Sequence, residues 1–121
     1  MKSKDFREEL KTKMDEYVHF IYKLSCKFPK NELYGSISQI RRATLSVILN
    51  YIEGFARIRK TVQQNFYEIS CGFLKESKYL LYFALTEKYI SNEEYNKGDK
   101  MADEIGAMLW SIIKLLKDEK S

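Results

Sequence analysis

Residues 89–117 read YISNEEYNKGDKMADEIGAMLWSIIKLLK. Ser91 stands where a helix N-cap is wanted, Glu94 follows at the position that reaches back to it, and Ile90 and Tyr95 are placed to staple the entry. From there Tyr95, Gly98, Ala102, Ile105, Leu109, Ile112 and Leu116 recur in steps of three and four, tracing one face of a long α-helix.

The same spacing returns three times toward the N-terminus. A third helix is predicted from Thr61, with Gln64 at the capping-box position. It carries two stripes: Phe66, Ile69, Phe73 and Leu80, and beside them Tyr67, Leu74, Leu81 and Ala84. A second begins at Ser36, with Gln39 in the same relation, and carries Ile37, Ile40, Thr44, Val47, Tyr51 and Phe55. In the first, Leu10, Met14, Tyr17, Ile21, Leu24 and Phe28 form a heptad seam that Pro29 stops. Helices of roughly 23–27 residues, about 35–40 Å long at 1.5 Å per residue, joined by short connectors, force antiparallel neighbours. The expected fold is all-α, an antiparallel up-down-up-down four-helix bundle. It forms one domain over residues 1–121, with helices at about 5–28, 36–58, 62–87 and 92–117.

Composition agrees with a globular chain: 45% apolar, 31% charged, one proline and five glycines in 121 residues. The +4 net charge is unevenly spread. Residues 1–60 hold 13 Lys and Arg against 7 Asp and Glu, whereas residues 61–121 hold 8 against 10. Such a bias permits an anionic partner without demanding one. Cys26 and Cys71 lack metal or redox spacing and read as free, buried thiols of a reducing compartment. The N-terminal MKSKDFREEL has no apolar core, and no apolar run approaches the roughly 18–20 residues that span a bilayer. The chain is therefore expected to be soluble and cytoplasmic, with no membrane partner.

Catalytic chemistry finds little to work with. Glu16 and His19 have the Glu-x-x-His spacing of di-iron bundles, but that site needs the pair on two helices and the chain has one histidine. Adjacent acids such as Asp103 and Glu104 do not face each other on a helix. No Gly-rich phosphate loop and no histidine paired with a nucleophile occurs. Neither an enzyme nor a cofactor or metal is expected.

The apolar surface exceeds what one bundle uses. Residues 79–85, YLLYFAL, are apolar all round, and Leu45, Ile48 and Ile52 form a spare stripe on the second helix. A wide core with some exposed tyrosine rings would account for part of this. Self-association accounts for more, with Leu45, Ile48, Ile52, Leu81 and Tyr82 as the interface.

Residues 38–60, SQIRRATLSVILNYIEGFARIRK, interrupt that helix with polar groups. Arg42, Ser46, Asn50, Glu53 and Arg57 share one face. On spacing alone they read equally as a solvated stripe. Between two apolar stripes they would be partly buried, and Arg41 or Arg42 is then the expected partner of Asn50 and Glu53. Gly54, costly inside a helix, points to a close neighbour. The basic tail Arg57, Arg59 and Lys60 would share a pole with Lys2, Lys4, Arg7, Lys114, Lys117 and Lys120, against the acids Asp5, Glu8, Glu9, Asp118 and Glu119. Lysines near a helix C-terminus are favoured by the macrodipole alone, but Arg59 and Lys60 sit beside a helix N-terminus, where an anion is favoured. Arg57, Arg59, Lys60, Lys2, Lys4, Arg7 and Lys117 are thus the candidate nucleic-acid contacts, through backbone phosphates rather than bases.

KFPKNELYGSISQIRRA (27–43), EGFAR (53–57) and EKYISNEEYNKGDKMADEIGAMLWSIIKLLK (87–117) resemble the bacterial four-helix-bundle proteins first known as open reading frames within intervening sequences of large-subunit ribosomal RNA genes. The tightest matches are Tyr34-Gly35, Gln39-Ile40-Arg41-Arg42, Ser46, Asn50, Glu53-Gly54 and Tyr89-Ile90-Ser91. Ile48 stands where that family usually has proline, Ile52 where it has a small residue, and Lys78 where it tends to be acidic. The resemblance implies a bundle that assembles into rings, commonly pentamers, without an established activity. In fold and size the chain is also similar to the accessory proteins of diversity-generating retroelements. That likeness implies RNA or DNA and a protein such as a reverse transcriptase as partners. Two functions follow as expectations: a non-catalytic oligomer that binds nucleic acid, structured RNA first, through its basic pole, or a ring-forming scaffold that recruits a protein and has no nucleic-acid role.

Overall fold

The structure, a computed structural model, describes residues 4–120. Four helices, α1 (Lys4–Ser25), α2 (Ser38–Phe55), α3 (Lys60–Thr86) and α4 (Asn92–Lys120), carry the chain, and no strand occurs among the described residues. Contacts along each seam run in opposite chain directions. Between α1 and α2, the Tyr51 hydroxyl donates to the Arg7 carbonyl at 3.1 Å near one end, and Arg41 Nε donates to Ser25 Oγ at 2.7 Å near the other. Between α2 and α3, Gly54 lies on Tyr67, Ser70 Oγ donates to the Val47 carbonyl at 2.7 Å, and Arg42 stands 3.7 Å from Glu76. Lys78 joins α3 to Asp99 and Asp103 of α4. Lys13 meets Glu104 at 3.1 Å, and Lys27 meets Glu94, closing α1 against α4. Among the described residues no helix is long and apolar enough to cross a membrane.

The α1 seam and the α4 stripe beyond Tyr95 are buried throughout. On α3 the buried line is Tyr67, Ser70, Leu74, Ser77, Leu81 and Ala84. Its two serines escape a hydrophobic count because each satisfies its hydroxyl locally or across a seam. Ser77 Oγ donates to the Leu74 carbonyl at 2.7 Å and stands 2.8 Å from the Tyr17 hydroxyl, which therefore donates to it. The second α3 stripe is a flank instead. Phe66 and Phe73 are half-buried and Ile69 is exposed, so only Leu80 of that stripe joins the core. Phe55 is also half outside, beneath the Arg7 guanidinium at 5.8 Å.

Several helix ends differ from expectation. The first helix stops at Ser25 rather than Phe28. Residues 26–28 tighten into turns, with Cys26, Lys27 and Phe28 N–H groups reaching the Lys23, Leu24 and Ser25 carbonyls at 3.0–3.1 Å. Pro29 disfavours helical backbone before it and explains the early end. The second helix has no capping box. A short 3₁₀ turn (Lys30–Glu32) and a π turn (Leu33–Ile37) lead straight into α2, Ser36 Oγ donates to Glu32 at 2.6 Å, and Gln39 is exposed. The third helix starts at Lys60 without a side-chain cap. Gln63 donates to the Arg57 carbonyl at 2.7 Å, and Gln64 to Glu68 at 2.6 Å. The box at α4 forms in both directions, Glu94 N–H to Ser91 Oγ at 3.1 Å and Ser91 N–H to the Glu94 carboxylate at 2.9 Å. The helix then runs to Lys120, past the expected 117. The thiols are free, but Cys26 is exposed and Cys71 half-buried, not buried.

Candidate functional site

Three surface features compete for function, and the α2 polar stripe separates them. Glu53 is exposed and pairs with Arg57 one turn along its own helix, not with Arg41 or Arg42. Asn50 is half-buried and donates to the Ser46 carbonyl at 2.8 Å. The arginines also lie on rings: Arg57 over Phe66 at 5.1 Å, and Arg42 over Phe73 at 5.9 Å while it faces Glu76. A guanidinium can face an acid and an aromatic ring at once. Glu53→Ala should therefore cost only about 0.3–0.5 kcal/mol, as for an exposed i,i+4 pair. Gly54 does have the expected close neighbour. A Cβ there would stand 2.6 Å and 2.8 Å from Tyr67 ring carbons and 3.1 Å from Phe66 Cβ.

The basic pole exists, but much of its charge is engaged. Arg57 pairs with Glu53, Lys60 pairs with Glu119 at 3.0 Å, and Lys117 lies 5.3 Å over the Trp110 ring. Arg7 is half-buried, and its Nε has no hydrogen-bond partner among the described residues. Arg59 is exposed and has no ion-pair partner there. Lys2 lies outside the described residues, as do the side chains of Lys4 and Lys120. Two exposed apolar groups, Phe55 and the 96% exposed Ile58, share this pole.

The third feature is apolar. Leu45, Leu49 and Ile52 are half-exposed in a row along α2, at steps of four and three. Leu49 was missed in the sequence reading, although that spacing alone marks it. Ile48 turns inward and is 9% exposed, and Leu81 is fully buried, in contact with the Gly98 position. Leu81 is core and offers no surface to a second molecule. Tyr82 is exposed with Tyr79 on α3, its ring 6.4 Å from Tyr95.

Leu45 also ends a groove of about 800 Å³ formed by the end of α1, the π turn and the start of α2. Val18, Tyr22, Leu33 and Ile37 are apolar walls, and Tyr34, 93% exposed, stands at the edge. Arg41 is fixed within it: its guanidinium lies 4.0 Å over the Tyr22 ring, Nε donates to the buried Ser25 hydroxyl, and Nη2 is 3.6 Å from Cys26 Sγ. His19, also on the lining, stands 3.4 Å from Asp15 rather than joining Glu16. Among the described residues no three His, Cys, Asp or Glu side chains are grouped to hold a metal.

The chain is similar to a crystal structure of a protein of unknown function from the S23 ribosomal protein family of Bacteroides thetaiotaomicron, with a TM-score of 0.82 and 28% sequence identity. The match covers 90% of this chain and 98% of the other. No curated protein sequence matches. A sequence model of the 23S rRNA-intervening sequence proteins covers residues 8–111, through the α1 seam, the α2 stripe and most of α4, and the chain belongs to that family.

Proposed function

We propose that the chain is a non-catalytic scaffold of the cytoplasm that assembles with copies of itself into a ring, a pentamer by the resemblance of its sequence. One observation carries the reading: Leu45, Leu49 and Ile52 lie half-exposed in a continuous line on α2. A monomer gains nothing from such a line, whereas a helix seam buries it. Tyr79 and Tyr82 form a second exposed apolar patch on α3. Two different patches favour a head-to-tail contact, which closes into a ring when the rotation per copy allows. Light scattering at tens of micromolar tests this, with Leu49→Glu placing an unpaired carboxylate in the seam at a cost of several kcal/mol. The expected result is a ring for the wild type and a folded monomer for Leu49→Glu. A wild-type monomer would refute it.

A second reading keeps the nucleic-acid role and is favoured by Arg59, exposed beside the start of α3 without an ion pair among the described residues. A ring would repeat Arg57, Arg59 and Lys60 around one rim and multiply weak phosphate contacts. RNA binding across a salt series tests it with Arg57→Glu, Arg59→Glu and Lys60→Glu combined. Lower affinity with a shallower salt slope supports it, and unchanged values leave the scaffold without nucleic acid.

A further inference from the structure

We propose that the groove between α1 and α2 is a docking site for a short acidic, apolar segment of a partner polypeptide. It rests on the scaffold reading in that it names what the scaffold holds. The groove's walls are apolar and open to solvent, and its cationic lining groups are Arg41 and Arg42, with no carboxylate among the lining residues. Arg41 is held ready. Stacking on Tyr22 and the bond to Ser25 fix the guanidinium before anything binds, and no acid among the described residues pairs with it. A fixed guanidinium at the rim of an apolar groove selects a carboxylate attached to an apolar body.

Two competing occupants fit less well. Single-stranded nucleic acid needs free aromatic faces and a basic track, but Arg41 already covers one Tyr22 face and Arg42 is drawn toward Glu76. The remaining walls are largely aliphatic: Val18, Leu33, Ile37 and Leu45. A second copy would bring its exposed aromatic patches with lysines beside them. Lys117 lies over Trp110 and Lys75 stands one helical turn from Tyr79, while Lys78 is engaged by Asp99 and Asp103. The Trp110 patch repels Arg41 and Arg42, and in the proposed ring the Tyr79–Tyr82 patch is already seated on the α2 line of Leu45, Leu49 and Ile52.

The test is fluorescence anisotropy with a fluorescein-labelled peptide of Leu and Phe flanked by Glu, and a twin carrying Gln for each Glu. Wild-type protein should bind the Glu peptide about tenfold more tightly than its twin, the order set by one charge-assisted hydrogen bond. Arg41→Gln should erase that preference. Tyr34→Ala should weaken both peptides without unfolding the chain, since the ring is 93% exposed. Absence of saturable binding by folded protein, equal affinity for the twins, or a preference that survives Arg41→Gln would each overturn the assignment. Displacement of the peptide by oligouridine would overturn it in favour of nucleic acid. Light scattering on the same samples reports the ring separately. Binding that appears only when the ring dissociates would give the groove to a second copy and also overturn the proposal.

Discussion

Gly54→Ala, in the last turn of α2, and Gly72→Ala, in the middle of α3, make the same chemical change and should have opposite effects. In a helix interior alanine is favoured over glycine by about 0.8–1.0 kcal/mol. At Gly72 nothing lies within 4 Å of the added Cβ, so that gain is expected whole. At Gly54 the methyl would stand 2.6 Å from Tyr67 Cε1, against roughly 3.5–4.0 Å for a comfortable carbon contact, so the ring must retreat by about 1 Å. Tyr67 is fully buried and stacked on Tyr51 with centroids 5.4 Å apart, and Tyr51 is tied by its hydroxyl to α1, so retreat disturbs three helices. Overpacking of this kind costs about 1–3 kcal/mol. After the propensity gain, Gly54→Ala should destabilise by about 0–2 kcal/mol, leaving the two variants about 1–3 kcal/mol apart. For a chain of this size that is up to roughly 10 °C in Tm, readable by far-ultraviolet circular dichroism. If Gly54→Ala melts as high as Gly72→Ala, Tyr67 does not fill that space and the account of the α2–α3 seam is wrong.

Lys88 is the one non-glycine residue with positive φ among the described residues, at 65°. It ends α3 with Tyr89 N–H on the Ala84 carbonyl at 2.8 Å and Lys88 N–H on the Leu85 carbonyl at 3.0 Å. Glycine suits that position, so Lys88→Gly should stabilise by about 0.5 kcal/mol in urea denaturation after its greater freedom in the unfolded chain is counted. Burial holds the Tyr17 phenol well above its ordinary value of 10.0, the neutral form being the one the core keeps. Its contribution is therefore full below that value and lost as pH rises past it. Tyr17→Phe should cost about 1 kcal/mol at neutral pH and flatten part of the alkaline loss of Tm. Ser91→Ala should cost about 1 kcal/mol as a lost N-cap. The Glu94 carboxyl is held below its ordinary 4.5, first by the Lys27 hydrogen bond, so its contribution is present above that value and lost as pH falls through the lowered one. Glu94→Gln should accordingly lessen acid sensitivity, and an unchanged acid limb in thermal melts would refute that role.

The helices and their core faces were readable because burial imposes its period on the sequence, as the α1 seam from Leu10 to Phe28 illustrates. Entries were readable where capping was chemical, at Ser91 and Glu94. They were unreadable where a turn feeds directly into α2, because Ser36 then has Glu32 to bond and no helix end to cap. Ser70 and Ser77 were passed over as polar, since their carbonyl and tyrosine partners lie a turn away or on another helix. Arg57 and Arg42 followed the same logic in reverse. Charge suggests acids, and Glu53 and Glu76 are there, but position adds phenylalanine rings that charge does not announce. The groove around Arg41 was hidden because its walls come from α1, a turn and α2, and a helical period describes one element at a time.

The unequal seams bear on how the chain reaches this fold. The α2–α3 pair is the most extensive interface, holds the Gly54–Tyr67 contact, and joins elements separated by only four residues. The α1–α4 closure joins distant parts of the chain and includes surface lysine–glutamate pairs. Short-range loop closure precedes long-range closure when both bury apolar surface. The α2–α3 hairpin is therefore expected to be structured in the folding transition state, with α1 docking onto α4 afterwards. Gly54→Ala would then slow folding, while Lys13→Ala would mainly speed unfolding. Pulse-labelled amide exchange that protects α1 before α3 would reverse the order.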